Sequence, residues 1–186
     1  MFSFFSCNKN KKSETDKQNV IVNKTEELPF LGTITLSNAR DYEVDNVKIN
    51  NNNVSIDLNF DGDEINPETL KNVRSILENI ENIDKKIKKE FREYIEEEGM
   101  VREYFNFYIE GHEPQILRDY LKDTDQNLTT ELQLLSITEL NRIGFYPDSS
   151  KYIAVLDYRV LIEYSDQILV VLLNEKGEIE KITIES

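Results

Sequence analysis

The segment DLNFDGDEINPE places Asp57, Asn59, Asp61, Gly62 and Glu68 in the register D-x-[DN]-x-[DN]-G-x5-E. That is the spacing of a calcium loop: oxygen donors at alternate positions, a glycine for the sharp turn and a bidentate glutamate last. Its surroundings argue the other way. The incoming residues alternate apolar and polar, as a strand does and an entering helix does not. The eighth position, usually aliphatic, is Glu64, and Pro67 breaks the loop near its end. The expectation is therefore that Asp57 and Asn59 lie on the polar side of a strand, Asp61-Gly62 begins a turn, and Glu68 complements a helix start. Calcium binding at residues 57–68 stays as an alternative, and no metal site is favoured.

Other chemistry is limited by what the chain contains. It has one histidine, His112, and one cysteine, Cys7. These cannot supply a zinc cluster, and HEPQI lacks the second histidine of HExxH. A lone histidine between Gly111 and Glu113 reads as a loop residue. The six glycines fall mostly at element boundaries and leave none for a dinucleotide or phosphate loop. Gly144 is the exception, lying inside a strand, where a bulge or a close backbone approach is the usual reason. Acid pairs such as Asp61 with Asp63, or Asp123 with Asp125, recur among 36 acids, so sequence proximity selects no catalytic pair. No catalytic residue is assigned, and no cofactor is called for.

Charge and aromatics point to binding. The net charge is −14. Residues 1–27 carry Lys9, Lys11, Lys12, Lys17 and Lys24 against Glu14, Asp16, Glu26 and Glu27, a net +1 that leaves −15 on the remainder. Such a body repels phosphate backbones and attracts basic partners. Glu96, Glu97 and Glu98 stand at a helix end that disfavours negative charge. Tyr104 and Tyr108 lie nearby in YFNFY, where the tyrosines and phenylalanines cannot all face one core if Phe107 is buried too. These five residues, Glu96 to Glu98 with Tyr104 and Tyr108, form the candidate partner-binding set.

The elements that would position them are readable from periodicity. Residues 1–27 are polar, without apolar periodicity, and read as a disordered tail; residues 28–186 read as a single α+β domain. Strands are expected at Thr33–Leu36, at Tyr42–Ile49 with a bulge, and at Val54–Phe60. Asn66 and Pro67 open a long helix whose apolar stripe runs from Leu70 to Ile95, with a break near Asn82. Shorter helices follow around Val101–Gly111, after Pro114, and at Leu128–Ile137. Four strands close the chain: Leu140–Tyr146, Tyr152–Tyr164, Gln167–Asn174 and one through Ile179, Ile182 and Ile184. The expected fold is a mainly antiparallel sheet of about seven strands, three before and four after a central group of three or four helices. Central placement is expected for the apolar run ILVVLL.

The segments ELPFLGTITL, VSIDLNF, RIGFYPDSSKYIAVLDYRV and ILVVLLNEKGEIEKITIES resemble a family of small acidic bacterial proteins defined only as a domain of unknown function. The resemblance runs from about Glu27 to Ser186 and is strongest in the last third. It implies a bacterial source and a cytoplasmic α+β fold, and it transfers no activity and no site residues. The single cysteine fits a reducing compartment. The start MFSFFSCNKNKK has no basic segment ahead of its apolar residues and reads as part of the tail instead of an export or lipid signal. No stretch reaches the ~20 apolar residues of a membrane span.

The expected function is a non-catalytic protein-binding module, an immunity-type or inhibitory partner of a basic protein or toxin, with no nucleic acid and no membrane as partner. The alternative is a carboxylate-based hydrolase or an enzyme holding a metal by acids alone. Oligomeric state is left open.

Overall fold

Asn50 and Asn51 both take left-handed backbone angles, with φ of 45° and 72°. They make the two-residue turn that joins strand β3 (Tyr42–Ile49) to strand β4 (Asn52–Leu58). Asparagine tolerates that conformation, and two such residues in succession match the twist of a hairpin. The expected bulge in β3 is present between Val44 and Val47, with Asn46 at φ 60°.

The computed structural model describes residues 24–37, 39–62, 65–160 and 166–186. Two strands, β1 (Thr25–Leu28) and β2 (Gly32–Thr35), pair with each other as a separate hairpin. Five helices follow β4: α1 (Pro67–Glu78), α2 (Ile80–Ile95), α3 (Met100–Gly111), α4 (Pro114–Leu121) and α5 (Thr130–Ser136). Strands β5 (Glu139–Phe145), β6 (Ala154–Arg159), β7 (Ile168–Leu173) and β8 (Ile179–Glu185) complete the chain. The six-stranded sheet has the order β3-β4-β5-β6-β7-β8. Every neighbouring pair in it is antiparallel except β4 with β5.

The α+β class and the mainly antiparallel sheet agree with the sequence reading, and the differences have physical reasons. Among the described residues there are eight strands. The additional one, β1, includes Thr25–Glu27, which composition assigns to the tail. Its residues TEEL carry one apolar side chain, so no alternation marks it. Arg74 of α1 holds it, donating to the Glu26 carboxylate at 2.7 Å and to the Glu27 carbonyl at 2.8 Å. Residues 1–23, the rest of the expected tail, lie outside the described residues, as do 161–165 at the end of the expected strand Tyr152–Tyr164. The long helix divides at Asn79, three residues before the expected break, and this division gives five helices. Asn66 caps α1 through a side-chain bond from the Glu68 N–H, with Pro67 in the first turn, as expected. The run ILVVLL is interior but not central, since β7 lies next to the edge strand β8.

The helices share one face of the sheet. Val54, Ile56 and Leu58 of β4, Ile143 and Phe145 of β5, Leu156 and Tyr158 of β6, and Leu169, Val171 and Leu173 of β7 belong to one cluster with Leu70, Val73, Leu77, Ile87 and Phe91 of the helices. Alternation turns Ser55, Asp57, Arg142 and Asp157 to the opposite face. On the helix face, Asp84 of α2 is only 1% exposed. Its carboxylate accepts from Tyr158 Oη at 3.0 Å and from Asn50 Nδ2 at 2.8 Å, with Lys88 Nζ at 3.9 Å. Asn50 also donates to the Glu81 carbonyl, so the β3–β4 turn is fastened to the start of α2.

Candidate functional site

Helix α2 ends at Ile95, and Glu96 takes the C-cap position with backbone still in the right-handed region. Glu97 and Glu98 follow, Gly99 precedes α3, and all four are exposed. Three carboxylates thus gather where the unpaired carbonyls of a helix end already carry partial negative charge, an unfavourable placement that Arg92 in the last turn of α2 offsets in part. Tyr94, 38% exposed, and Met100, 46% exposed, flank them. Tyr94, Glu97, Glu98, Met100 and Val101 line one side of an open groove of about 320 Å³, whose other side is β8 from Ile179 to Ile182.

The tyrosines of the candidate set do not belong to this surface. Tyr104 and Tyr108 are fully buried, and their assignment as partner anchors is corrected. They share the inner face of α3 with Val101 and Phe105, one turn apart. Their hydroxyls complete the backbone where β6 ends and β7 begins. Tyr104 Oη accepts from the Val160 N–H at 3.2 Å, and both hydroxyls donate toward the Gln167 carbonyl, at 3.4 and 3.3 Å. Burial pushes the Tyr104 hydroxyl far above the ordinary tyrosine range, Tyr108 adds to the shift, and the Val160 N–H opposes it. The aromatic that α3 does expose is Phe107, 45% open to solvent. Sequence reasoning detects the crowding in YFNFY but assigns the exposed place to the wrong rings. Tyr94 and Met100 are absent from the candidate set, although Tyr94 falls off the Ile87–Phe91–Ile95 stripe and is legible as exposed on that ground.

A second cluster occupies the opposite face of the sheet. Arg142 of β5 donates from Nε to Asp57 Oδ1 at 2.6 Å and from Nη2 to Asp57 Oδ2 at 2.7 Å, a two-pronged pair across the β4–β5 junction. Its Nη2 also donates to Tyr146 Oη at 2.8 Å, and Nη1 donates to Asp157 Oδ2 of β6 at 3.3 Å. Burial alone would weaken the guanidinium's hold on its proton. Hydrogen bonds to Tyr146 and Asp57 outweigh that and hold it above its ordinary value. Asp157 is pushed above the usual carboxylate value by burial, against the pull of Arg142. Gly144 explains how the guanidinium fits: a Cβ there would stand 2.5 Å from Arg142 Nη2. The close approach expected at this glycine comes from a side chain of its own strand.

The residues of the calcium-loop spacing are dispersed among other partners. Asp57 is engaged by Arg142, and Asn59 Nδ2 donates to Asp57 at 2.5 Å and to the Phe145 carbonyl at 3.3 Å. Asp61 is exposed, its N–H bonded to Asp148, and Glu68 pairs with Lys71 at 2.6 Å on the first turn of α1. Among the described residues no group of three or more His, Cys, Asp or Glu side chains is arranged to hold a metal ion. His112 lies parallel to the Tyr108 ring, centroids 5.5 Å apart, with Nδ1 3.0 Å from the Tyr108 carbonyl. Cys7 and Asp63 lie outside the described residues. Among the described residues, no helix is long and apolar enough to cross a membrane.

Comparison of the chain with family models, with curated proteins and with solved structures finds no match.

Proposed function

We propose that this protein is a non-catalytic protein-binding module of the bacterial cytoplasm, an immunity-type or inhibitory partner of a basic protein, and that it engages this partner at the corner between α2 and α3. The observation that carries the reading is the exposure of Glu96, Glu97 and Glu98 at the end of α2 beside Tyr94 and Met100. A basic side chain seated there gains the attraction of three carboxylates and of the helix terminus, while Tyr94 and Met100 offer apolar area for contact. The surrounding charge of −14 draws such a partner from a distance. The carboxylate-enzyme alternative has weaker support, because the acids that meet on the sheet face opposite the helices, Asp57 and Asp157, both pair with Arg142.

The test is affinity capture from a bacterial lysate, followed by titration of each captured protein against wild type and a variant carrying Glu96→Lys, Glu97→Lys and Glu98→Lys. The expected partner is basic, and its affinity falls about tenfold or more on charge reversal and also as salt rises. A complex indifferent to both changes overturns the reading. Co-expression then examines inhibition: a partner that kills cells alone and is tolerated with this protein supports the immunity-type role. A partner harmless on its own removes that role and leaves the binding module.

A further inference from the structure

Strand β8 is an edge. Among the described residues it pairs with β7 alone, and its seven residues, IEKITIE, leave one row of backbone donors and acceptors unbonded to the sheet. An unpaired edge of this length is a template for another strand unless charge, proline or a covering segment blunts it. β8 contains no proline, its bulge sits at Glu180, between the partners of Leu172 and Leu173, and Lys181–Glu185 beyond it is regular; the charges of that regular stretch select a particular strand to receive.

The faces are fixed by the pairing with β7. Ile182 lies opposite Val171 and Ile184 opposite Leu169, both core residues, so these isoleucines point to the helix side. Lys181, Thr183 and Glu185 lie opposite Leu172, Val170 and Ile168 and point to the other side. A second β8 added antiparallel across a two-fold axis normal to the sheet keeps both helical layers on one side, so helix-face residues must meet helix-face residues.

With the axis through Thr183, Lys181 faces the second copy's Glu185 and Glu185 faces its Lys181. Ile182 then faces Ile184, so the charged pairs are opposite in sign and the apolar residues meet one another. Moving the axis to Ile182 sets Glu180 against Ile184 and Lys181 against Thr183. Moving it to Lys181 brings the two lysines together. Cross-strand pairs of opposite charge and of β-branched residues stabilise an antiparallel ladder, and like charges destabilise it. The strand is self-complementary in one register.

The neighbouring groove fits the same arrangement. It runs along β8 from Ile179 to Ile182 and is closed on its other side by Tyr94, Met100 and Val101. In the Thr183-centred register the incoming Ile184 lies beside Ile182 on the helix side, at the mouth of this groove.

We propose that two copies of this chain associate through β8 in the Thr183-centred register, extending the sheet continuously from one copy into the other. Each copy carries a net charge of −14, and Glu97 and Glu98 line the groove, so general repulsion opposes the association. Salt screens that repulsion, and pairing strengthens as salt rises. Capture of a basic partner at the α2–α3 corner has the opposite salt dependence, which separates this inference from the proposed function.

Sedimentation equilibrium of the full chain over a concentration series, at low and high salt, tests it with Lys181→Glu, Glu185→Lys and the double exchange. A dimer is expected for wild type, tighter at high salt. Each single reversal sets like charges opposite each other at both symmetry-related positions and weakens the dimer about tenfold. The double exchange restores opposite signs and recovers the dimer. Both substituted positions are exposed, and circular dichroism establishes that each variant is folded. A wild-type chain monomeric at every concentration overturns the inference, as does a dimer insensitive to the single reversals or not recovered by the double exchange.

Discussion

The guanidinium of Arg142 rests on the backbone of Gly144, two residues along the same strand, in a space that a single methyl group would occupy. From there it reaches Asp57 on one neighbouring strand and Asp157 on the other. Replacement of Gly144 by alanine forces the side chain away, and the held end of Arg142 cannot yield without giving up charge-assisted hydrogen bonds. Gly144→Ala is expected to cost about 1–3 kcal/mol in urea unfolding. In an Arg142→Met background the same change costs much less, because the obstructing group is gone. Equal costs in both backgrounds would show that the glycine serves another purpose.

Asp157 gives the cluster a pH dependence of definite sign. Its folded-state value is raised by burial, so the native protein retains a proton that the unfolded chain releases. The resulting contribution is fully present below the ordinary carboxylate value and is lost as pH rises through the raised one. Asp157→Asn removes the dependence. The stability of wild type relative to Asp157→Asn is expected to fall as pH increases through the window just above 3.8, read from urea midpoints at successive pH values. A difference that is flat or rises across that window contradicts the assignment.

Asp84 and Tyr158 make a buried pair that joins α2 to β6. Asp84→Ala leaves the hydroxyl of Tyr158 without its acceptor and takes one of two acceptors from the Asn50 amide, and is expected to cost about 1–3 kcal/mol. Tyr158→Phe removes one donor and is expected to cost about 1–3 kcal/mol. The double variant falls short of the sum, which a double-mutant cycle measures. At the other end of the pH scale, burial and then Asp84 push the Tyr158 hydroxyl well above its ordinary value. Its contribution is complete below pH 10, the ordinary tyrosine value, and declines above it. Under alkaline unfolding Tyr158→Phe therefore loses less stability with rising pH than wild type.

Helix α3 separates its aromatics sharply. Phe105→Ala opens the core and is expected to cost about 3–5 kcal/mol. Phe107→Ser, on the exposed side, stays within about 0.5 kcal/mol of wild type. Thermal melts of the two variants distinguish the faces directly, and a large loss at Phe107 contradicts its exposed placement.

The legible parts of this fold are those where one local rule decides the outcome. Alternation from Val54 to Leu58, the cap at Asn66 with Pro67, and the stripe through Ile83, Ile87 and Phe91 each follow from spacing alone. Strand β1 was hidden because Thr25–Leu28 is held by Arg74, a residue 46 positions beyond Leu28, and not by its own apolar pattern. The parallel contact between β4 and β5 was hidden for a similar reason, since no local signal states which edge a returning strand will join. At the candidate site, the exposure of Glu96–Glu98 followed from their charge. The burial of Tyr104 and Tyr108 depended on partners at Val160 and Gln167 that periodicity cannot identify.

That parallel contact also constrains how the chain can fold. Strands β3 and β4 meet through a two-residue turn, and β5 to β8 follow one another as antiparallel neighbours, so both halves of the sheet can assemble from nearby residues. The two sides of their seam, Ser55–Leu58 and Arg142–Phe145, are separated along the chain by the 83 residues 59–141. Closing so long a loop sacrifices chain entropy before the seam contributes anything, and non-local closure of this kind is the slow part of folding. The Asp57–Arg142 pair lies on that seam. Loss of that pair, as in Arg142→Met, is expected to shorten the time the joined sheet stays closed, read from unfolding rates.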